Sequence, residues 1–210
     1  MKVHVANHPL ISHKLTVLRD EKTDSPTFRR LVEELVTLLA YEATRDVKTT
    51  TVTIKTPVTE TTGLKMAEPR PVVVPILRAG LGMLPAAMEL LPDADIAVVG
   101  VQRDEKTHEP SEYVAKLPSR LDGRTCLVLD PMLATGGSLA HGCKLLADRG
   151  APMPLTIACV LAAPEGIEFL RSTGMNLHII TASVDSHLNE NAFIVPGLGD
   201  AGDRQFGPPH

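Results

Sequence analysis

Tryptophan is absent, and two Tyr and four Phe are the only other aromatic residues among 210, 3% of the chain. So few rings weaken a stacking platform for single-stranded nucleic acid and leave no large aromatic core. Positive charge is not in excess either: 21 Lys and Arg stand against 25 Asp and Glu, for a net charge of −4. A broad basic footprint for duplex nucleic acid is not expected. Cysteine is scarce and odd in number. Cys126, Cys143 and Cys159 are widely spaced and form no C-x-x-C, which argues against a disulfide framework or a zinc knuckle and for buried free thiols. Long apolar runs are missing, and stretches such as Val72 to Leu77 are far too short to cross a bilayer. Residues 1–8 show no signal-peptide core, so a soluble protein of the cytoplasm, without membrane or nucleic-acid partners, is expected.

Several catalytic signatures are also missing. No Gly-Lys-Ser/Thr follows the paired glycines Gly136-Gly137, so they open no Walker A loop. His4 and His8 are four residues apart but belong to no H-E-x-x-H, and no protein-held metal is expected there. Ser138 lacks a G-x-S-x-G elbow, which leaves a hydrolase nucleophile without support.

What is present is globular: 43% hydrophobic and 22% charged residues, long enough for one domain over 1–210 that buries about 70% of its unfolded surface. A helix is predicted over 25–46, with Ser25 as N-cap, Pro26 in the first turn and Phe28, Leu31, Val32, Leu35, Leu38 and Leu39 at helical spacing. Thr49 to Val58 alternates and reads as an exposed strand or hairpin; Thr59 to Pro71 reads as loop. Strands and helices then alternate. Strands are predicted at Val72–Leu77, Ile96–Val101, Thr125–Asp130, Leu155–Leu161, Leu177–Ala182 and, shorter, Ala192–Val195. A weak helical stretch runs from Met83 to Leu91, and firmer helices span Gly137–Arg149 and Pro164–Arg171. Arg103 to Pro110 reads as a charged loop. Apolar strands alternating with helices indicate an α/β fold, with a parallel sheet buried on both faces.

Three segments carry chemistry. In Asp130-Pro131-Met132-Leu133-Ala134-Thr135-Gly136-Gly137-Ser138 an apolar strand runs into an acid, a small-residue turn and a helix start. Glycines allow inward-pointing N–H groups, Thr135 and Ser138 add hydroxyls, and the helix dipole favours an anion. The pattern is a phosphate cradle with Asp130 at its mouth, suited to the hydroxyls of a phosphorylated ribose. Arg78 and Arg103 each follow a predicted strand, with Lys106 near the second; a guanidinium there offers bidentate contacts to phosphate oxygens. If the strands are parallel, both arginines and the cradle share the ligand-binding edge of the sheet. The third segment contains Gly197, Gly199 and Gly202 as G-x-G-x-x-G. With eight residues after Gly202 there is no room for a dinucleotide-binding helix and its distal acid. These glycines instead suit a backbone loop that closely approaches a small flat base, with Asp200 to orient a ligand or handle a proton.

On these strings the chain resembles the uracil phosphoribosyltransferases, a branch of the type I phosphoribosyltransferases. The resembling segments include Tyr41-Glu42-Ala43-Thr44, Val74 through Met83, Asp130 through Ser138, Ala162-Ala163-Pro164-Glu165-Gly166 and Ile194 through Asp203, in the family's order across nearly the whole chain. The resemblance implies a type I core with helices on both faces, a projecting β-arm over about 49–70 used in subunit contacts, and a base-binding tail over about 185–210. It implies transfer of phosphoribose from 5-phospho-α-D-ribose 1-diphosphate (PRPP) to uracil, giving UMP and diphosphate with Mg²⁺ held mainly through PRPP and water. It assigns PRPP to Arg78, Arg103, Asp130, Pro131, Met132, Leu133, Ala134, Thr135, Gly136, Gly137, Ser138 and Asp200. Uracil falls to Ile194, Gly199, Asp200 and Ala201, largely through backbone, and catalysis to Arg78, Arg103, Asp130 and Asp200. A homodimer or homotetramer and a GTP effector belong to the same implication. Two departures bear on local geometry and base selectivity: Gln102 stands where an aromatic residue is frequent, and Phe193 where Tyr is frequent. Two other readings stand beside this one, a nucleotide- and RNA-binding regulator built on the same fold and a transferase for another nucleobase.

Overall fold

The computed structural model describes residues 1–103 and 110–207. Its order is β1 (Lys2–Val5), α1 (Pro9–Arg19), α2 (Ser25–Ala43), β2 (Thr49–Lys55), β3 (Glu60–Met66) and β4 (Val72–Leu77). A 3₁₀ turn (Ala79–Met83), α3 (Leu84–Leu90), β5 (Asp95–Ile96), β6 (Val98–Arg103), β7 (Pro110–Lys116), β8 (Cys126–Leu129) and β9 (Met132–Leu133) follow. The chain then forms α4 (Gly137–Ala147), β10 (Leu155–Ala162), α5 (Pro164–Ser172), β11 (Leu177–Val184), β12 (His187–Leu188), β13 (Ile194–Val195) and α6 (Ala201–Phe206).

The main sheet runs β1-β11-β10-β8-β4-β6-β7, with short β5 beside β4 and β9 beside β10. Every pairing is parallel except that of the edge strand β7 with β6, which is antiparallel. The central strands are continuous apolar runs because both faces are covered, and successive side chains go to opposite cores. Along β4, Val72, Val74 and Ile76 join one core while Val73 joins the other. The first core holds α1, α2 and α3 through Leu15, Phe28, Leu35, Leu39 and Ala87; the second holds α4 and α5 through Leu139, Leu146, Ile167 and Leu170. The three thiols are buried in the second core. Burial pushes Cys126 up to about 11 and Cys143 and Cys159 up to about 12, so all three stay protonated and unreactive at neutral pH.

Several expectations are corrected. Residues 59–71 are not all loop: Glu60–Met66 pairs in register with Thr49–Lys55 as a two-stranded arm whose residues are mostly exposed. Gly63, Glu60 and Lys65 are residue types depleted in strands and masked it. The N-cap of α2 is Asp24, whose carboxylate accepts from the Thr27 N–H at 2.8 Å; Ser25 is the first helical residue and donates its hydroxyl to the Gln205 carbonyl. The segment before residue 20 carries a strand and a helix, the latter signalled by Ile11, Leu15 and Leu18 at spacings of four and three. The stretch from Ala79 to Leu91 opens as a 3₁₀ turn before becoming α-helical at Leu84. The predicted loop from Arg103 to Pro110 falls largely outside the described residues, as does Lys106.

Candidate active site

Because β4, β6, β8 and β10 run parallel, the residues that follow β4, β8 and β9 open onto one edge. Arg78 leaves β4, Asp130 leaves β8, and Ser138 lies in the first turn of α4. Arg78, Asp130, Met132, Ser138, Asp200 and Gly202 line one cavity there. A second cavity is lined by Ala79, Met132, Ala134, Phe193, Ile194, Gly199, Asp200, Ala201 and Gly202. The two adjoin, sharing Ala79, Met132, Asp200 and Gly202 as their common wall. Six of the twelve residues expected to meet the phosphoribosyl group, Arg78, Asp130, Met132, Ala134, Ser138 and Asp200, and all four expected to meet the base therefore stand around neighbouring hollows, whereas Pro131, Leu133, Thr135, Gly136 and Gly137 line neither. Arg103 ends β6, and its side chain is outside the described ones.

The cradle is local. Asp130 accepts a 3.3 Å hydrogen bond from the Met132 N–H, and Met132–Leu133 pairs with the end of β10. Gly136 is the N-cap of α4 with φ of 84°, in the left-handed region glycine favours. Pro131 and Leu133 differ from the rest of the run. Leu133 is wholly buried in the second core, and the Pro131 carbonyl accepts from the Val160 and Leu161 N–H groups, so both shape the cradle from inside. Gly166 of α5 supports it from behind: a β-carbon there would collide with the Ala134 carbonyl.

The tail is held from a distance. The Asp185 side chain is 2% exposed, and its carboxylate takes a fork from Arg19 at 2.6 and 2.7 Å, the Gly197 N–H at 3.0 Å and the Ser183 hydroxyl at 2.9 Å. Arg19 also donates to the Gly197 carbonyl at 2.7 Å, so one ion pair holds both the N–H and the carbonyl of Gly197. Burial acts to raise the Asp185 carboxyl, but the hydrogen bonds from Arg19, Ser183 and Gly197 outweigh it and hold the group below its ordinary value. Arg204 stacks over Phe28 at 4.4 Å and donates to the Leu18, Asp20 and Leu198 carbonyls at 2.7 to 3.0 Å. Gln205 is fully buried and donates to the Ala79 and Ala201 carbonyls. Asp200 caps α6, its carboxylate accepting from the Asp203 N–H at 2.8 Å. Arg78 is joined to Asp203 at 2.9 Å.

Sequence reasoning singled out several residues that line these hollows and missed these anchors. Arg19 and Asp185 lie 166 positions apart and share no motif, though the spacing of Ile11, Leu15 and Leu18 foretells the helix that carries Arg19. Arg204 and Gln205 sit beside the glycine-rich string without any local mark of their role.

Among the described residues no three His, Cys, Asp or Glu side chains gather at one point. Asp130 and Asp200 face the same cavity. That donor set suits a divalent cation carried on substrate phosphates, with one or two carboxylates and water completing its shell. No helix among the described residues is long and apolar enough to cross a membrane.

The family model of the uracil phosphoribosyltransferases matches residues 5–208. A protein of Beutenbergia cavernae named uracil phosphoribosyltransferase is 59% identical over 210 residues, covering 99% of each chain. Among solved structures, the AQ2163 protein of Aquifex aeolicus superposes with a TM-score of 0.92 at 35% identity, covering 98% of each chain. An adenine phosphoribosyltransferase of Trypanosoma brucei reaches a TM-score of 0.50 at 12% identity, covering 88% of this chain and 71% of its own, which is a likeness of fold.

Proposed function

This chain belongs to the uracil phosphoribosyltransferase family, and from that premise we propose that it joins uracil to PRPP, giving UMP and diphosphate in pyrimidine salvage. The observation that carries the reading is the pair of adjoining hollows with Asp200 in their common wall. One is bordered by the cradle and Arg78, the other by the tail. A phosphoribosyl group in the first brings C1′ to the mouth of the second, where a base seated against Ile194, Gly199 and Ala201 presents N1.

As the bond from C1′ to the diphosphate oxygen breaks, positive charge grows on the ribose and negative charge on the departing group; uracil N1 forms the new bond to C1′ and gives up its proton, which leaves with the diphosphate or by way of Asp200 in the common wall. Fixed charge aimed at that change is usually the largest catalytic contribution. Arg78 and Arg103 supply it to the leaving group, and Mg²⁺, when bound, neutralises the same phosphates. Gly136 and Gly137 with Thr135 and Ser138 hold the 5-phosphate, and Asp130 accepts from the ribose hydroxyls. The tail aligns N1, a positioning effect. A site that hydrogen-bonds the 4-oxygen of uracil disfavours cytosine, whose amino group would leave buried groups unpaired.

The exposed arm of β2 and β3 supports a homodimer or homotetramer; a cytoplasmic setting is proposed on the resemblance. A GTP effector is proposed on the resemblance alone. The test is a labelled-base assay with PRPP and Mg²⁺, run with uracil, cytosine and hypoxanthine, with and without GTP. Nucleotide should form from uracil alone; turnover of hypoxanthine without uracil turnover would overturn the reading.

A further inference from the structure

We propose that Asp203 is a positioning residue that holds the Arg78 guanidinium on its diphosphate-facing course and ties it to the helix that carries the base contacts. The proposal rests on the reading of Arg78 as a cation for the departing diphosphate. Arg78 lines the phosphoribosyl cavity, whereas Asp203 does not; its Oδ1 takes Arg78 Nη2 at 2.9 Å from outside that lining. A guanidinium has five N–H donors in a rigid fork, so one edge can be held while another stays turned toward phosphate oxygens. The Asp203 N–H is bonded to the carboxylate of Asp200, which lies in the common wall of the two cavities. Gly202 sits between them, closely flanked: a β-carbon there would come within 3.1 Å of Asp200 Oδ1 and 3.6 Å of Arg78 Nη2. One turn of chain thus bonds to the base-side acid through its backbone and to the diphosphate-side cation through its side chain.

Stability does not account for this pair. Both side chains are open to solvent, 47% for Arg78 and 41% for Asp203, and ion pairs so exposed add little to folding. The helix is anchored elsewhere, by Arg204 and Gln205. What the carboxylate adds is orientation: a long side chain at a cavity mouth is confined before substrate arrives, so less freedom is lost on binding.

The test is steady-state kinetics of the full-length protein and of Asp203→Asn and Asp203→Glu, with uracil and PRPP varied in turn and thermal unfolding as a fold control. Asp203→Asn should raise KM for PRPP about tenfold and weaken inhibition by diphosphate by a similar factor, with KM for uracil within about twofold. Asp203→Glu, which keeps the carboxylate, should recover most of the loss. An unchanged or lowered KM for PRPP in Asp203→Asn overturns the proposal, and so does a parallel rise in KM for uracil, which would mark a general loosening of the tail. If the unaltered protein forms no UMP, the functional reading fails first, and that result is distinct from all of these.

Discussion

From Asp130 to Ser138 the cradle is one unbroken run, shaped by bonds between near neighbours such as Met132 to Asp130 and by a left-handed glycine at the start of α4. The C-terminal tail, proposed to face the base, is held by partners 126 to 186 positions away: Ala79 for Gln205, Leu18 for Arg204 and Arg19 for Asp185. A phosphate is a compact anion that backbone N–H groups and a helix start can hold with local means. A flat base needs one wall set at the right distance from another, and that distance is a property of the whole domain. The run from Asp130 to Ser138 therefore depends on itself and on β10 and α5 beside it, while the tail inherits any shift of α1, α2 or the turn after β4.

Arg78 stands at the seam between the two regions, and its removal should have the largest effect. Arg78→Ala should keep the fold and lose about 10²–10³-fold in kcat/KM, the cost of one preorganised charge-stabilising donor. Single-turnover rates read beside a circular dichroism spectrum would show this. Retained turnover would take Arg78 out of the chemistry and leave the two regions joined by shape alone.

Next in size is the tail anchor. Asp185→Ala leaves the Arg19 guanidinium without its counter-charge, bonded only to the Gly197 carbonyl, and removes the acceptor of the Gly197 N–H. Breaking one side of a mostly buried pair should cost about 3 kcal/mol of stability. The signature that separates tail from cradle is kinetic: KM for uracil should rise much more than KM for PRPP. Equal rises would mean that the two regions are not independent.

Gly166→Ala tests the other region. Its β-carbon would press on the Ala134 carbonyl, and relieving that contact should cost about 1–3 kcal/mol, within the range for overpacking. Here KM for PRPP should move and KM for uracil should hold, the reverse of Asp185→Ala.

The same contrast explains what could be read from residues alone. The strands were legible because a strand buried on both faces must be continuously apolar, as Val72 to Leu77 is. The cradle was legible because acid, turn glycines and hydroxyls lie together. The antiparallel edge strand β7 was not, since Pro110–Lys116 opens on a proline and mixes charged with apolar residues, and it was assigned no strand. Arg19, Asp185, Arg204 and Gln205 were not, because each acts through a carbonyl or carboxylate brought near only by folding. Gly197 and Gly199 were singled out for backbone approach, and both have positive φ, at 62° and 79°. Gly202 does not, and it matters for the closeness of its Asp200 and Arg78 neighbours.

The smallest expected effect concerns acid. The Asp185 carboxyl titrates below its ordinary value of 3.8 in the folded protein. A carboxyl depressed on folding contributes stability that is fully present above the unfolded value and lost as pH falls through the folded one. The gap in unfolding temperature between the unaltered protein and Asp185→Asn should therefore stay constant from pH 7 to about pH 5 and narrow below about pH 4. Subtracting the variant removes the other carboxylates from the comparison, because they titrate alike in both proteins. A gap that persists unchanged to pH 3 would mean that Arg19 holds the base loop through the Gly197 carbonyl rather than through the ion pair, and that the tail is anchored by geometry more than by charge.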